Sequence, residues 1–227
     1  MIPSMVRNQI ESSLNAHKGR SAFAERLNVI AEEQGVFLYS DDLEGMFTLA
    51  ERYVRGTLRL MENCEVAAQQ SRVESMLSPL IDAGCRFFLN SHPETPDPKG
   101  LLGMICDGYL ARSLLAIASE RMKTVRGFPL LATDPHSEGL IIRRLISAKL
   151  ADRLYEIAET AHDSPQILFY SNNAYLLQGP LRASASMNDW GGAWEDDAIR
   201  FANSIGLKLD PGAWTSDPQP VARQIVL

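Results

Sequence analysis

The chain has 227 residues, of which 45% are apolar and 22% are charged, and this balance excludes a chain that is disordered throughout. A protein of this size buries roughly 70% of the surface that its unfolded form exposes, so it needs no metal or disulfide merely to fold. The formal net charge of −6, without any dense run of Lys and Arg, argues against a surface that neutralises nucleic-acid phosphates.

The N-terminal part of the chain predicts two short helices followed by a link. Apolar residues recur three and four positions apart over residues 4–17 and again over residues 21–34, which is the spacing of one helix face. Gly35 follows the second run as the expected left-handed stop. The apolar residues 36–39 then predict an extended, buried link to the next helix.

Residues 41–88 carry two long apolar stripes at helical spacing, separated by a polar run over residues 65–72. Asp41 and Glu44 form an acidic variant of the capping box at the start of the first helix. Pro79 lies inside the second stripe and predicts a kink or a restart there. Two such stripes need partner surfaces, so neighbouring helices must pack on them. The stripes consist of Leu43, Met46, Phe47, Ala50, Tyr53, Val54, Leu58, Met61 and Cys64, and then Val73, Met76, Leu77, Leu80, Ile81, Gly84, Phe87 and Phe88.

The next part of the chain alternates loops with long helical patterns. Residues 91–100 contain three prolines and form a loop, because proline-rich backbone is stiff and extended. Residues 101–123 predict a helix, and residues 126–134 a second loop. The Asp-Pro pair at 134–135 offers a helix start, with a cap followed by proline at the first helical position. The apolar pattern then runs to about Ala161, which predicts one straight helix.

The C-terminal part is less regular. Residues 165–177 fit either a hairpin around Ser-Asn-Asn or a further helix, and both alternatives stay open. An irregular stretch precedes a short helix predicted over residues 192–205, and a proline-containing tail follows. The sequence therefore predicts a mostly α, single-domain bundle of about seven helices. Residues 1–163 form its core, and residues 164–227 form a C-terminal segment packed on that core in the same domain.

Cysteine usage and the absence of targeting patterns predict a cytoplasmic protein. Cys64, Cys85 and Cys106 are odd in number, contain no C-x-x-C pair and lie in apolar surroundings, where a free cysteine behaves as a small hydrophobe. Such free thiols are typical of a reducing compartment. The N-terminus lacks the apolar core of a signal peptide, and no window holds about 18 consecutive apolar residues. We therefore expect no membrane span.

Three of the four histidines lie beside a carboxylate in or near a predicted loop. Neutral imidazole and carboxylate bind divalent metals, and a histidine positioned by an acid can act as a general base. A purely structural role is the alternative, because His and Asp are also common in helix caps and polar loops. The candidate metal ligands are His92, Glu94, Asp134, His136 and His162, and the candidate catalytic groups are His136, His162 and Asp163.

One combination of these residues resembles a known metal site. The order His136, then His162-Asp163, then a later aspartate such as Asp189 or Asp196 resembles the H…HD…D order of the HD-domain phosphohydrolases. That resemblance implies a helical metal enzyme that cleaves phosphate esters. A straight helix between the two histidines would separate them by about 39 Å, too far to share one metal. The resemblance therefore requires that this segment folds back on itself.

The tryptophans are the candidate binding residues. Trp190, Trp194 and Trp214 are the three tryptophans of the chain, and all lie near its C-terminus. Trp is enriched where partners bind, because its ring offers a large contact area and a polar N–H group. The alternative is that these rings anchor an irregular segment to the helical body.

The absence of common catalytic, nucleotide-binding and metal-binding motifs from the sequence favours a non-catalytic function. The sequence has no G-x-G-x-x-G, Walker loop, H-E-x-x-H, G-x-S-x-G or EF-hand loop. We therefore expect a soluble, non-catalytic interaction protein, such as a regulator, a chaperone-like adaptor or an inhibitor, without a cofactor. Its partner is another protein or a second copy of the chain. The alternative is a helical enzyme that depends on a divalent metal or a small ligand bound by the His/carboxylate pairs.

Overall fold

The computed structural model describes residues 2–15, 17–90, 93–97, 100–132, 139–165, 167, 177, 179–181 and 192–209. Helices make up 79% of the described residues, and no strand occurs among them, so the predicted mostly α class is confirmed. The helices are α1 (Ser4–Asn15), a 3-10 helix (His17–Arg20), α2 (Ser21–Glu33), α3 (Ser40–Gln70), α4 (Glu74–Leu89), α5 (Leu101–Arg126), α6 (Gly139–Ile146), α7 (Ala148–His162) and α8 (Gly192–Ser204).

Helix α5 is the centre of the bundle, because α1, α2, α3, α4, α6 and α7 all pack on it. Its residues are buried on every side through most of its length, as expected of a helix that is apolar all round. Gly108 lets α3 approach closely, since a Cβ at this position would lie 3.1 Å from Tyr53 Cε1. By length and composition α5 could cross a membrane, but 94% of its most apolar window is buried inside the protein.

The predicted stripes on α3 and α4 face the core. Leu58 is 9% exposed and Leu77 is fully buried, which confirms that the helical spacing of the apolar residues marks the buried faces of these two helices. The start of α3 differs from the predicted capping pair of Asp41 and Glu44. Helix α3 begins one residue earlier, and the backbone N–H of Tyr39 donates to Asp42 Oδ2 at 2.8 Å. The Glu44 carboxylate instead accepts hydrogen bonds from Arg20.

Helix α4 runs without interruption through Pro79, so the predicted restart is wrong. Proline removes one helical hydrogen bond and crowds the preceding turn, which normally breaks a helix. Here Met76 and Leu77 before the proline and Leu80 and Ile81 after it are all buried. Because most helical stability in proteins comes from packing of an apolar face, this shared burial offsets the lost bond.

The single straight helix predicted up to Ala161 is wrong, because the chain breaks between α6 and α7 at Ser147. Ser147 has φ +82° and ψ 144°, a backbone conformation that no helix contains. Its Oγ accepts a hydrogen bond from Leu150 N at 3.4 Å and caps α7. The Arg26 guanidinium on α2 donates to the carbonyls of Arg144 and Leu145, each at 3.0 Å, and so satisfies the last turn of α6. The split explains why eight α-helices occur in the described residues instead of about seven.

We expect Ser147→Gly to stabilise the protein by about 1 kcal/mol and Ser147→Ala to destabilise it by a similar amount. A non-glycine residue held at such a positive φ costs on the order of 1–3 kcal/mol, which glycine avoids while losing only a few tenths as a cap. Alanine keeps the strain and loses the cap. Urea unfolding curves of the two variants measure the difference, and shifts of equal sign would contradict this explanation.

The C-terminal helix α8 packs mainly on α3. It coincides with the helix predicted over residues 192–205, and its inward side chains include Ala198 and Ala202, both almost fully buried. The two alternatives for residues 165–177, hairpin or helix, fall mostly outside the described residues. The tail after Leu209 also lies outside them.

Candidate functional site

The link between α2 and α3 carries two large aromatic side chains that face outwards. Phe37 is 75% exposed and Tyr39 is 69% exposed, although the apolar run predicted a buried link. The neighbours Val36 and Leu38 point the other way, half-buried and buried respectively. Extended backbone places successive side chains on opposite faces, so only alternate residues of such a run can reach the core. The prediction of a buried link did not take this alternation of inward and outward side chains into account.

The two exposed rings form one surface. Their centroids lie 5.1 Å apart, and their planes are inclined by 75°, which is an edge-to-face arrangement. The fold holds the link at both ends: Val36 N donates to Ala31 O at 2.8 Å, and Tyr39 N donates to Asp42 Oδ2 at 2.8 Å. The rings are therefore presented by a backbone that other contacts already fix.

A contact with the C-terminal part of the chain supports the same link. The Gln34 side-chain amide pairs in both directions with the backbone of Lys208: Lys208 N donates to Gln34 Oε1 at 2.8 Å, and Gln34 Nε2 donates to Lys208 O at 3.4 Å. Gly206, at φ +83°, turns the chain beside Val36. The segment after α8 thus packs behind the link and leaves Phe37 and Tyr39 outside.

Acidic residues flank the two rings in the chain. Glu32 lies in the last turn of α2 and Asp41 in the first turn of α3, and both are exposed. Neither side chain forms an ion pair with another described residue. We call the two rings of Phe37 and Tyr39, together with the exposed acidic residues Glu32 and Asp41 that flank them in the chain, the aromatic edge.

The His162–Asp163 pair lies at the C-terminal end of α7. The ring of His162 is almost fully buried, and its Nδ1 lies 3.4 Å from Asp163 Oδ1. Burial lowers the pKa of His162, and the nearby Arg121 charge lowers it further, so the ring is held neutral near pH 7. Partial burial acts to raise the pKa of Asp163, but hydrogen bonds from Arg121 and His162 outweigh it and lower this pKa overall. Arg121 thus supplies the positive charge beside this carboxylate.

The other predicted metal ligands are not assembled in the part of the chain that the structure describes. Glu94 accepts two hydrogen bonds from Arg153 Nε, at 3.0 and 3.1 Å. His92, Asp134 and His136 lie outside the described residues. Within the described ranges, no group of three or more His, Cys, Asp and Glu side chains could hold a metal ion. The separation of about 39 Å between His136 and His162 assumed one straight helix. Because the chain breaks at Ser147, that distance no longer applies.

Among the predicted binding residues, the structure describes Trp194. It is 7% exposed, its Nε1 donates to the carbonyl of Leu49 at 2.7 Å, and its ring centroid lies 5.4 Å from that of Tyr53. Trp194 therefore anchors α8 to α3. Trp190 and Trp214 lie outside the described residues.

Sequence reasoning missed Asp107, which lies in the second turn of the core helix α5. Its side chain is fully buried, and neither carboxyl oxygen has a hydrogen-bond partner among the described residues. Burial raises the pKa of Asp107 to about 8, so the folded protein holds this group mostly protonated at neutral pH. A carboxyl group inside an otherwise apolar helical run, between Cys106 and Gly108, was the signal in the sequence.

Two shallow grooves lie elsewhere on the described surface. The groove between α3 and α8 has a volume of about 510 Å³, and its arginines, Arg52 and Arg200, both bond Asp197, at 2.8 and 2.7 Å. The groove between α4 and the end of α7 has a volume of about 370 Å³ and is lined partly by Phe87 and Ile167. In the first groove the charged side chains bond each other. The second groove borders a part of the chain that lies outside the described residues.

The aromatic edge differs from both grooves, because its apolar groups project from the protein instead of lining a depression. The core does not need them, since Val36 and Leu38 already fill the inward side of the link. Comparison with known proteins adds no relative: no protein-family model, no curated protein and no solved structure matches this chain.

Proposed function

We propose that this chain is a non-catalytic protein-interaction module, acting as a regulator, adaptor or inhibitor, which binds its partner through the aromatic edge. The observation that carries the proposal is the exposure of Phe37 and Tyr39, at 75% and 69%. Covering one such ring contributes roughly 2 kcal/mol, and aromatic side chains are enriched among the residues that dominate binding energy. A fixed backbone adds to this, because little conformational entropy is then lost on binding.

The surroundings of those predicted catalytic and metal-ligating groups that the structure describes also favour binding over catalysis. A general base must reach the proton that it removes. His162 is 2% exposed, while Asp163 and Glu94 are each engaged by an arginine. These contacts are typical of groups that stabilise a fold.

The Phe37→Ala/Tyr39→Ala double variant tests the proposal. We expect the immobilised full-length chain to retain a partner protein that the double variant loses, with affinity reduced at least about 30-fold in titrations with the purified partner. A Met5→Ala/Val125→Ala variant is the matched control, because Met5 and Val125 are 59% and 76% exposed on α1 and α5. Both variants should unfold like the parent chain, since surface substitutions usually change stability by less than about 0.5 kcal/mol.

Two results would contradict the proposal. The first is equal retention of the partner by the double variant and the parent chain. The second is stoichiometric metal in the purified chain that is lost in His162→Ala, which would favour the metal-dependent enzyme. The contact of His162 with Asp163, 3.4 Å between Nδ1 and Oδ1, is the observation behind that second candidate.

A further inference from the structure

We infer that the partner presents to the aromatic edge a protein segment in which apolar side chains stand next to Lys or Arg. This inference rests on the proposed function and names the chemical class of the partner. Two independent features of the aromatic edge carry it: the two exposed rings and the sign of the flanking charges.

The two rings can bind both the apolar and the basic side chains of such a segment. The exposed edges and faces of Phe37 and Tyr39 offer apolar area to aliphatic or aromatic side chains. The face of an aromatic ring also carries negative potential, which attracts a guanidinium or ammonium group. The same interaction occurs twice among the described residues: the Arg20 guanidinium lies 4.9 Å from the ring centroid of Phe47, and that of Arg112 lies 4.8 Å from the ring centroid of Tyr53.

The flanking charges select the sign of the partner. Glu32 and Asp41 are exposed on either side of the link and form no ion pair with other described residues. Glu33 and Asp42 lie next to them but are engaged, by Arg144 and by the backbone N–H of Tyr39 respectively. The net charge of the whole chain, −6, has the same sign as these two side chains, and such a net charge favours the approach of cationic segments.

Other occupants fit these charges poorly. Nucleic acids and anionic lipid surfaces carry the same sign as Glu32 and Asp41, so both would be repelled. A second copy of the chain would place one aromatic edge against another in a two-fold contact, because such interfaces use the same patch on both subunits. That contact would bring four like charges together. A basic and apolar protein segment satisfies the rings and the carboxylates at once.

The test uses the full-length chain and three matched sets of peptides with the same Leu and Phe residues. The residues flanking them are Lys and Arg in the first set, Asp and Glu in the second, and Ser and Gln in the third. We expect binding of the basic set in fluorescence titrations, its loss in Phe37→Ala/Tyr39→Ala, and an approximately tenfold loss in Glu32→Lys/Asp41→Lys. Added salt should weaken the same binding, because exposed charges are screened.

The control variant Asp82→Lys/Glu159→Lys makes the same change in net charge on α4 and α7, where both residues are exposed. It should bind the basic peptides like the parent chain, and an equal loss would overturn the inference in favour of a general charge effect.

Equal binding of the neutral or acidic set at the aromatic edge would overturn the partner class while leaving the proposed function in place. Self-association that disappears in Phe37→Ala/Tyr39→Ala would also overturn the inference. Failure of all three sets, with a partner retained by that double variant, would overturn the proposed function as well.

Discussion

The free energy of unfolding is expected to fall as the pH rises from about 4 to about 8, and Asp107→Asn should remove most of this fall. The pKa of Asp107 is about 8 in the folded chain and about 3.9 in an unfolded one. Between these values the folded protein holds a proton that the unfolded chain has released. Stability therefore decreases with rising pH, by up to about 1.4 kcal/mol for each pH unit, and the decrease ends above the folded pKa.

Denaturant unfolding followed by circular dichroism at several pH values measures this effect. The difference between the parent chain and Asp107→Asn isolates Asp107, because His162 and Asp163, with lowered pKa values, contribute equally to both proteins. Asparagine has nearly the shape of a protonated aspartate, so the two proteins should have similar stability at or below about pH 4, before the fall begins. Asp82→Asn, at an exposed position, is the control that should keep the slope of the parent. A parallel pH profile for Asp107→Asn would show that the buried carboxyl group does not titrate in this way.

The second large effect concerns Gly45 on α3. We expect Gly45→Ala to destabilise the protein by about 1–3 kcal/mol, against the usual gain of up to 1 kcal/mol for this change inside a helix. A Cβ at position 45 would lie 2.0 Å from Cζ of Phe201 and 2.6 and 2.7 Å from its Cε atoms. The ring must then move, and the contact that it makes between α8 and α3 is weakened.

A double-mutant cycle separates this steric conflict from any other consequence of the change. In the Phe201→Ala background the added methyl group meets no ring, so Gly45→Ala should there become neutral or stabilising. Urea unfolding gives the four free energies, and hydrogen exchange reports whether α8 is the part that loosens. The same loss of stability in both backgrounds would show that the Phe201 ring is not the cause.

Helical periodicity was sufficient to predict the buried face of the long helices, but not the breaks between helices. Leu77 lies where its predicted stripe places it, and Leu154 lies within the apolar pattern predicted up to about Ala161; both are fully buried. The break at Ser147 could not be read from neighbouring residues, because the bonds that end α6 come from Arg26, 119 residues earlier than Leu145. On α1, Met5 is 59% exposed, whereas the adjacent Val6 is fully buried. In a short helix with few apolar residues, one position of rotation decides which of two neighbours is buried.

The candidate site was harder to predict than the fold, for a similar reason. A run of four apolar residues indicates burial only if the backbone conformation is known, and Phe37 and Tyr39 face solvent because the link is extended. Asp107 posed the opposite difficulty. A carboxylate in a helix normally marks the solvent side, whereas α5 has no such side around Asp107, since other helices surround this part of it.

In the described part of the chain, α8 packs mainly on one neighbour, α3, whereas each of the other α-helices packs on two or more elements. Its Trp194 reaches back across 145 residues to Leu49, so this interface can form only after most of the polypeptide has been made. Closing so long a loop costs entropy that few local contacts repay at once. The segment should therefore join the folding protein late and detach first, uncovering Tyr53 before the inner helices separate.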